Sequence, residues 1–350
     1  MRTSTAAGGT RTVTGAVVAA VVFAVALLWA KWWPYAGKIG AVGTSHVWPG
    51  SDILGVGGVR RGDDPSWHAA TSFAGAYFLA IWKALVAALL IGAALQTLVP
   101  RAWLLRVTAG RGRVSGAVVG GLASTPSMMC TCCAAPVAAT LRRTGVPTSV
   151  AVAYWLGNPL LNPAVLVFLL FVAPWQWTVT RAVVGIVLVV GGAALVARLT
   201  DRRTVPVEEV PAVEATPGNP LARYARALGR LVLTVVPEYL VVVTLVGAFR
   251  GWLFPLGHDA RGTGVLVVLV AAVAGTLLVI PTAGEIPILQ GLALAGLSLG
   301  VVGALLITLP AVSLPGMALV GRAFGWRVTV ATAGVVAAGG VLAGGLLLAL

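Results

Sequence analysis

The chain has 350 residues, of which 59% are hydrophobic and only 10% charged. A soluble domain carries about 25% charged residues, so a cytosolic enzyme, a secreted disulfide scaffold and a disordered chain are all excluded. The composition predicts an all-α polytopic membrane protein. The net charge of +14 does not signal nucleic acid, because most Lys and Arg end long apolar runs instead of clustering on a soluble face.

A spanning helix needs roughly 20 apolar residues. The uncharged run 12–30 follows Arg2 and Arg11 and precedes Lys31-Trp32-Trp33. It predicts a retained N-terminal transmembrane helix over 1–33 with an aromatic-belt end, not a cleaved signal peptide. Residues 34–68, with Pro, Gly, His46, His68 and three Asp, read as an extracytoplasmic loop. The stretch around 69–100 is an apolar helix with one charge, Lys83, and the uncharged runs 114–141, 144–180 and 182–197 follow. Residues 201–222 are rich in Pro and Glu and read as a cytoplasmic linker. Beyond it come 231–249, with Glu238 as its one charge, and then 262–284, 286–321 and 328–350.

Positive charge sets the expected topology. With the N-terminus cytoplasmic, Arg101, Arg106, Arg111 and Arg113 fall inside. For Arg142 and Arg143 to lie inside too, 114–141 must enter the membrane and return. That is a re-entrant hairpin with legs near 114–126 and 133–141, each too short to span. A second hairpin is expected from the outside at 264–297. This arrangement leaves 16 basic residues inside and 7 outside, with Lys83 in the membrane. If the hairpins spanned fully, Arg142 and Arg143 would face out, and that alternative stays open.

The halves repeat. Lys83, Pro100, Pro126 and Cys130 match Glu238, Pro255, Pro281 and Glu285 at an offset of 155. Pro136, Gly145, Pro159 and Asn162 then match Pro287, Gly296, Pro310 and Ser313 at 151. Proline and glycine punctuate the backbone, so shared spacing implies shared shape. The expectation is two inverted repeats, 69–200 and 223–350, each a helix, a re-entrant hairpin, a broken helix and a helix. The first helix lies outside them. Inverted repeats with broken helices place a transporter's site at the midplane.

The first hairpin tip reads Pro126-Ser-Met-Met-Cys130-Thr-Cys132-Cys133-Ala-Ala-Pro136. Three thiols and two thioethers offer soft ligands for soft metals and metalloids; the alternative is that they are small buried hydrophobes. Three cysteines cannot build a disulfide framework, and a Cys-x-x-Cys with no fourth cysteine is a poor redox relay. A structural zinc wants four ligands, and His46, His68 and His258 belong to predicted outer loops, so no metal cofactor is expected. The second tip puts Glu285 where the first has Cys130, a carboxylate able to couple protons or to cap the tip. Lys83 and Glu238 read as a buried ion pair or as two cavity-facing charges. Asn158-Pro159 and Asn162-Pro163 break one helix, Leu309-Pro310 with Ser313 and Pro315 breaks its counterpart, and these breaks are expected to face the tips.

At PSMMCTCCAAPVAATLRRTGVPTSVAVAYWLGNPLLNP and the weaker copy PTAGEIPILQGLALAGLSLGVVGALLITLPAVSLP, the sequence resembles the predicted permease family sometimes called DUF318. That family includes the ArsP organoarsenical efflux permeases. Cys130-Thr131-Cys132 falls on the family's Cys-Ser-Cys, with Cys133 in place of Gly. Glu285 falls on an acidic position, with Gly284 in place of Ser and no cysteine in the second motif. The resemblance implies transport, and for its arsenic-linked members thiol-dependent export of trivalent organoarsenicals.

The expected protein is thus a multi-pass permease of the cell membrane, not an enzyme, with no cofactor and no nucleotide-binding G-x-x-x-x-G-K-[ST]. Its expected partners are a small-molecule or metalloid solute and the lipid bilayer, with no nucleic acid; a homo-oligomer stays open. The candidate solute site comprises Cys130, Cys132, Cys133, Asn158, Asn162, Glu285 and Ser313. The rival readings are a permease for a reduced sulfur species or Cu(I), a membrane thiol oxidoreductase and an assembly subunit.

Overall fold

In lipid every backbone N–H and C=O must find its partner within the protein, and a helix does so within one segment. The computed structural model describes residues 4–49 (backbone alone for 4–13), 53–60, 62–108, 110–201, 219–253 and 264–350, and every regular element among them is helical. Most of the expected linker 201–222, and His258, lie outside the described residues.

In chain order α1 is Ser4–Leu27, followed by a π-helical segment Leu28–Trp32 and α2, Trp33–Ser45. Then come α3 Trp67–Thr97, α4 Arg101–Thr108, α5 Arg113–Ser124, α6 Thr131–Arg143, α7 Thr148–Leu160, α8 Pro163–Val172, α9 Trp175–Ile186 and α10 Ala193–Thr200. A second π-helical segment, Val187–Gly192, joins α9 to α10. The second half holds α11 Pro220–Leu253, α12 Val265–Leu277, α13 Glu285–Leu294, α14 Leu299–Ala311, α15 Leu314–Phe324 and α16 Trp326–Ala349. Six spans are long and apolar enough to cross a membrane: Thr14–Ser45, Trp67–Thr97, Thr148–Val172, Trp175–Thr200, Pro220–Trp252 and Trp326–Ala349. The pair α14–α15, bent by 52°, makes a seventh when taken as one span. This is a multi-pass membrane fold.

One boundary differs from the sequence expectation. The first helix does not stop at 33 but runs on to Ser45, so 34–45 is helix where a loop was expected. Pro34 does not end it, because it stands in the first turn of α2, just after the π segment has shifted the hydrogen-bond register.

The two halves repeat their element bounds. Thr148–Leu160 and Leu299–Ala311 start 151 residues apart, as do Pro163 and Leu314, and Trp175 and Trp326. Gly145 and Gly296, at the same offset, adopt φ of 92° and 82°. Each lets the next residue turn back onto the preceding helix, Val146 N–H to Leu141 C=O and Leu297 N–H to Leu292 C=O, both 3.1 Å. At the other offset, 155, Met128 and Ala283 both have positive φ, 50° and 66°, although neither is glycine.

These left-handed residues lie between the two short helices of each tip, α5–α6 and α12–α13. In the first tip α6 lies among α3, α7 and α15, while α5 packs on α7. Gly120 permits that last contact, since any Cβ there would strike the Val150 carbonyl. The long helices α3 and α11 pack along each other, and α3 also packs on α6.

A cluster of thiols at the first helix break

The break between α5 and α6 leaves Met128–Cys130 without helical partners, and the surroundings supply them. Asn158 accepts from Met129 N–H (3.2 Å) while its own amide donates to Tyr154 C=O (2.8 Å). Trp155 Nε1 donates to Thr131 C=O (3.0 Å). Asn158 thus pins the first tip, and its helix reaches the tip because Pro159 breaks it just beyond.

Cys130 stands at the N-cap of α6, and Cys132 and Cys133 occupy its first turn. All three are free and buried. Cys130 Sγ lies 3.0 Å from both Cys132 Sγ and Cys133 Sγ, and the three sulfurs fall within 4.8 Å of one another. Open amides at the start of a helix favour negative charge there. Three sulfurs so placed are a soft donor set.

Two tyrosines hold this cluster, and sequence reasoning missed both. Tyr77 Oη, on α3, is 2.8 Å from Cys132 Sγ, and Tyr239 Oη, on α11, donates to the Cys132 carbonyl. Both are fully buried. A tyrosine inside an apolar run is the signal that was available, since its buried hydroxyl needs a partner.

The expected Lys83–Glu238 pair does not form. On α3 the buried face carries Tyr77, Ile81, Ala84, Leu85 and Ala88, which leaves Lys83 exposed beside Trp82. Glu238 instead lies 3.6 Å from Arg322 on α15. Matching positions in the repeat do not bring two side chains together when the contacting faces lie elsewhere on the helices.

Glu285 opens α13, 1% exposed, and its partner is Arg181 of α9 at 2.7 Å. The guanidinium also donates to Pro159 C=O (2.8 Å) and Leu160 C=O (3.4 Å). These are among the carbonyls left at the α7–α8 break, so Arg181 clamps the first half's broken helix to the second tip. The seven basic residues counted outside include Arg181, which stands between the uncharged runs 144–180 and 182–197. In the fold it is wholly buried.

At the breaks themselves, Asn162 caps α8 by accepting from Ala164 and Val165 N–H (3.1 and 3.4 Å). Ser313 stands at the N-cap of α15 without capping it. Asn162 Nδ2, Ser313 Oγ and Thr131 Oγ1 are buried polar atoms with no hydrogen-bond partner among the described residues. Ser313 and Thr131 are close neighbours, for a Cβ built on Gly316 would lie 3.3 Å from one hydroxyl and 3.5 Å from the other. Ser313 therefore reaches the first tip, beside the cysteines. A cavity of about 420 Å³ lies elsewhere, against the second tip, lined by Leu54, Arg60, Arg250, Pro287 and Leu292 among others. The thiols are closed off in this conformation.

Residues 66–348 match the profile of a family described as predicted permease, ArsP_1. The UPF0718 protein YraQ of Escherichia coli (strain K12) is 45% identical over 292 residues, 82% of each chain. No solved structure matches. A multi-pass helical fold with broken helices, a buried polar centre and a profile match over most of its length places this chain in the ArsP_1 family of predicted permeases.

Proposed function

We propose that this permease is a secondary transporter that moves a small thiophilic solute, with export of trivalent organoarsenicals as its best candidate reaction. The observation that carries this reading is the set of three free sulfurs within 4.8 Å at a helix break. Cys130, Cys132 and Cys133 are the soft ligands. Ser313 and Thr131, with unpartnered hydroxyls beside them, are polar contacts for the solute or its water. Asn158 holds the tip in shape, and Asn162 lines the broken helix opposite the second tip.

The two halves act as inverted repeats, with the tips as re-entrant hairpins and the N-terminus cytoplasmic. Alternating access then rocks one half against the other around the cysteines. Glu285 belongs to the coupling step. Its pairing with Arg181 joins the second tip to the α7–α8 break, so freeing the carboxylate for a proton or ion requires those elements to separate. Lys83, exposed on α3, and Glu238, 3.6 Å from Arg322, take no part in a transport step.

The test is uptake of methylarsonous acid into everted membrane vesicles, with and without a proton gradient. Cys130→Ser, Cys132→Ser, Cys133→Ser and the triple variant are compared with wild type at matched expression. Gradient-dependent uptake that is lost in the cysteine variants is the expected result. Uptake that persists in a well-folded triple variant removes the thiols from the mechanism.

A further inference from the structure

The helix that sequence reasoning set apart from both repeats touches both tips. It does so at its π-helical segment, a form of helix that commonly marks functional positions. Trp32 Nε1 donates to Pro126 C=O in the first tip (2.8 Å), and Lys31 Nζ donates to Thr282 Oγ1 in the second (3.0 Å). Each bond lands within two residues of the left-handed position at which its tip breaks, Met128 in the first and Ala283 in the second. Neighbouring residues leave a helix roughly 100° apart. A helix that holds one tip by residue 31 and the other by residue 32 therefore stands at the seam between them. Both residues precede the family match at 66–348, so the contact belongs to this chain's own N-terminal segment.

The segment is itself anchored. Lys31, only 6% exposed, also donates to Tyr35 Oη one turn on (3.1 Å). Tyr35 meets Phe168 of α8 edge-on, with ring centres 5.9 Å apart, and Trp48 meets the same ring at 5.1 Å. The tips have no comparable tie of their own. Among the described residues no hydrogen bond or ion pair runs directly from 113–143 to 265–294. Their other anchors lead to different helices, Met129 to Asn158 on α7, Glu285 to Arg181 on α9 and Gln290 to the Val172 carbonyl that ends α8.

We propose that this π-helical segment is a strap that makes the two tips open together, with Trp32 and Lys31 as the positioning residues at its two ends. A strap acts only while both ends hold. Releasing either end frees both tips, and releasing the second then adds little, the non-additivity expected of residues that act as one unit. The inference concerns the coupling of the tips and stands whichever solute the thiols take.

The test reads opening directly and needs no cargo. The purified full-length protein in detergent is treated with methyl methanethiosulfonate, and the labelling rate of Cys130, Cys132 and Cys133 is followed by mass spectrometry. For buried thiols that rate follows the population of the opened tip. Trp32→Phe cuts the bond to the first tip. Thr282→Val cuts the bond to the second tip, which carries no cysteine, and leaves Lys31 in place. Each is expected to speed labelling about fivefold, the weight of a typical hydrogen bond, and the double variant to go no faster than either single. In return, Trp32→Phe should speed amide exchange at Gly284 and Ile286, whose N–H groups bond within the second tip. Wild-type labelling in Thr282→Val overturns the inference, as does a double variant whose rate is the product of the two effects. Faster exchange spread equally through α16 would mark general loosening and overturn it too. Loss of methylarsonous acid uptake in the cysteine variants with uncoupled tips would leave the thiol site standing without the strap.

Discussion

The two tips share a backbone and differ in chemistry. Each has a left-handed non-glycine residue at its break, Met128 in one and Ala283 in the other. Each is followed by a short helix closed by a glycine with positive φ. Yet the residue at the matching place is Cys130 in the first and Glu285 in the second. The carboxylate is already answered by Arg181, with the guanidinium further bound to two carbonyls of the broken helix. Among the described residues the thiols hydrogen-bond to one another and to the Tyr77 hydroxyl. One tip is held by an ion pair, and the other carries a buried cluster of free thiols. Duplicated backbone therefore supplies the scaffold, while a few substitutions at the breaks decide the chemistry each copy presents.

That contrast can be tested by breaking the ion pair. Arg181→Met strands a buried carboxylate, a change that costs about 3–5 kcal/mol in comparable buried pairs. Its thermal unfolding in detergent should show the largest loss of any single variant considered. Arg181→Met combined with Glu285→Met should recover much of that loss. A double variant no more stable than either single would mean that the pair does not hold the tip.

A smaller effect is expected at the first tip. Asn158→Ala removes the acceptor for Met129 N–H and leaves that donor buried, at a cost of about 1–3 kcal/mol. The same variant should slow uptake, because the tip that carries the thiols loses its anchor. Normal stability and normal uptake together would show that Asn158 does not hold the tip.

Further out the effects shrink. Glu238, its side chain 10% exposed, lies 3.6 Å from an Arg322 that is 60% exposed and screened by its surroundings, so Glu238→Gln, which keeps the shape, should change stability by about 0–1 kcal/mol. Lys83→Met, on the outward face of α3, should leave both the melting temperature and uptake unchanged. A large defect from either would restore the paired-charge reading that the geometry removes.

Much of this was legible in the chain itself. The prolines at fixed offsets anticipated the breaks between α7 and α8 and between α14 and α15, because these residues act on their own backbone and need no partner. The thiol triad was legible for the same reason, since Cys130, Cys132 and Cys133 lie within one turn of each other whatever the rest of the fold does. The misreadings were of reach. The first helix extends to Ser45 because a π turn carries it past the expected stop, and Arg181 counted as an outside charge because nothing nearby in sequence answers it.

By itself, then, the sequence determined the membrane class, the helical repeat, the breaks and the adjacency of the three sulfurs, all consequences of composition and short-range spacing. Only the tertiary structure decided which charge meets which group. Lys31 reaches Thr282 across 251 positions, Arg181 reaches Glu285 across 104, and Lys83 misses Glu238 despite the matching register. The physical reason is that a helix presents a side chain to a neighbour or to lipid according to its rotation about its own axis. That rotation is set by packing along the whole length of the helix, and no local motif records it.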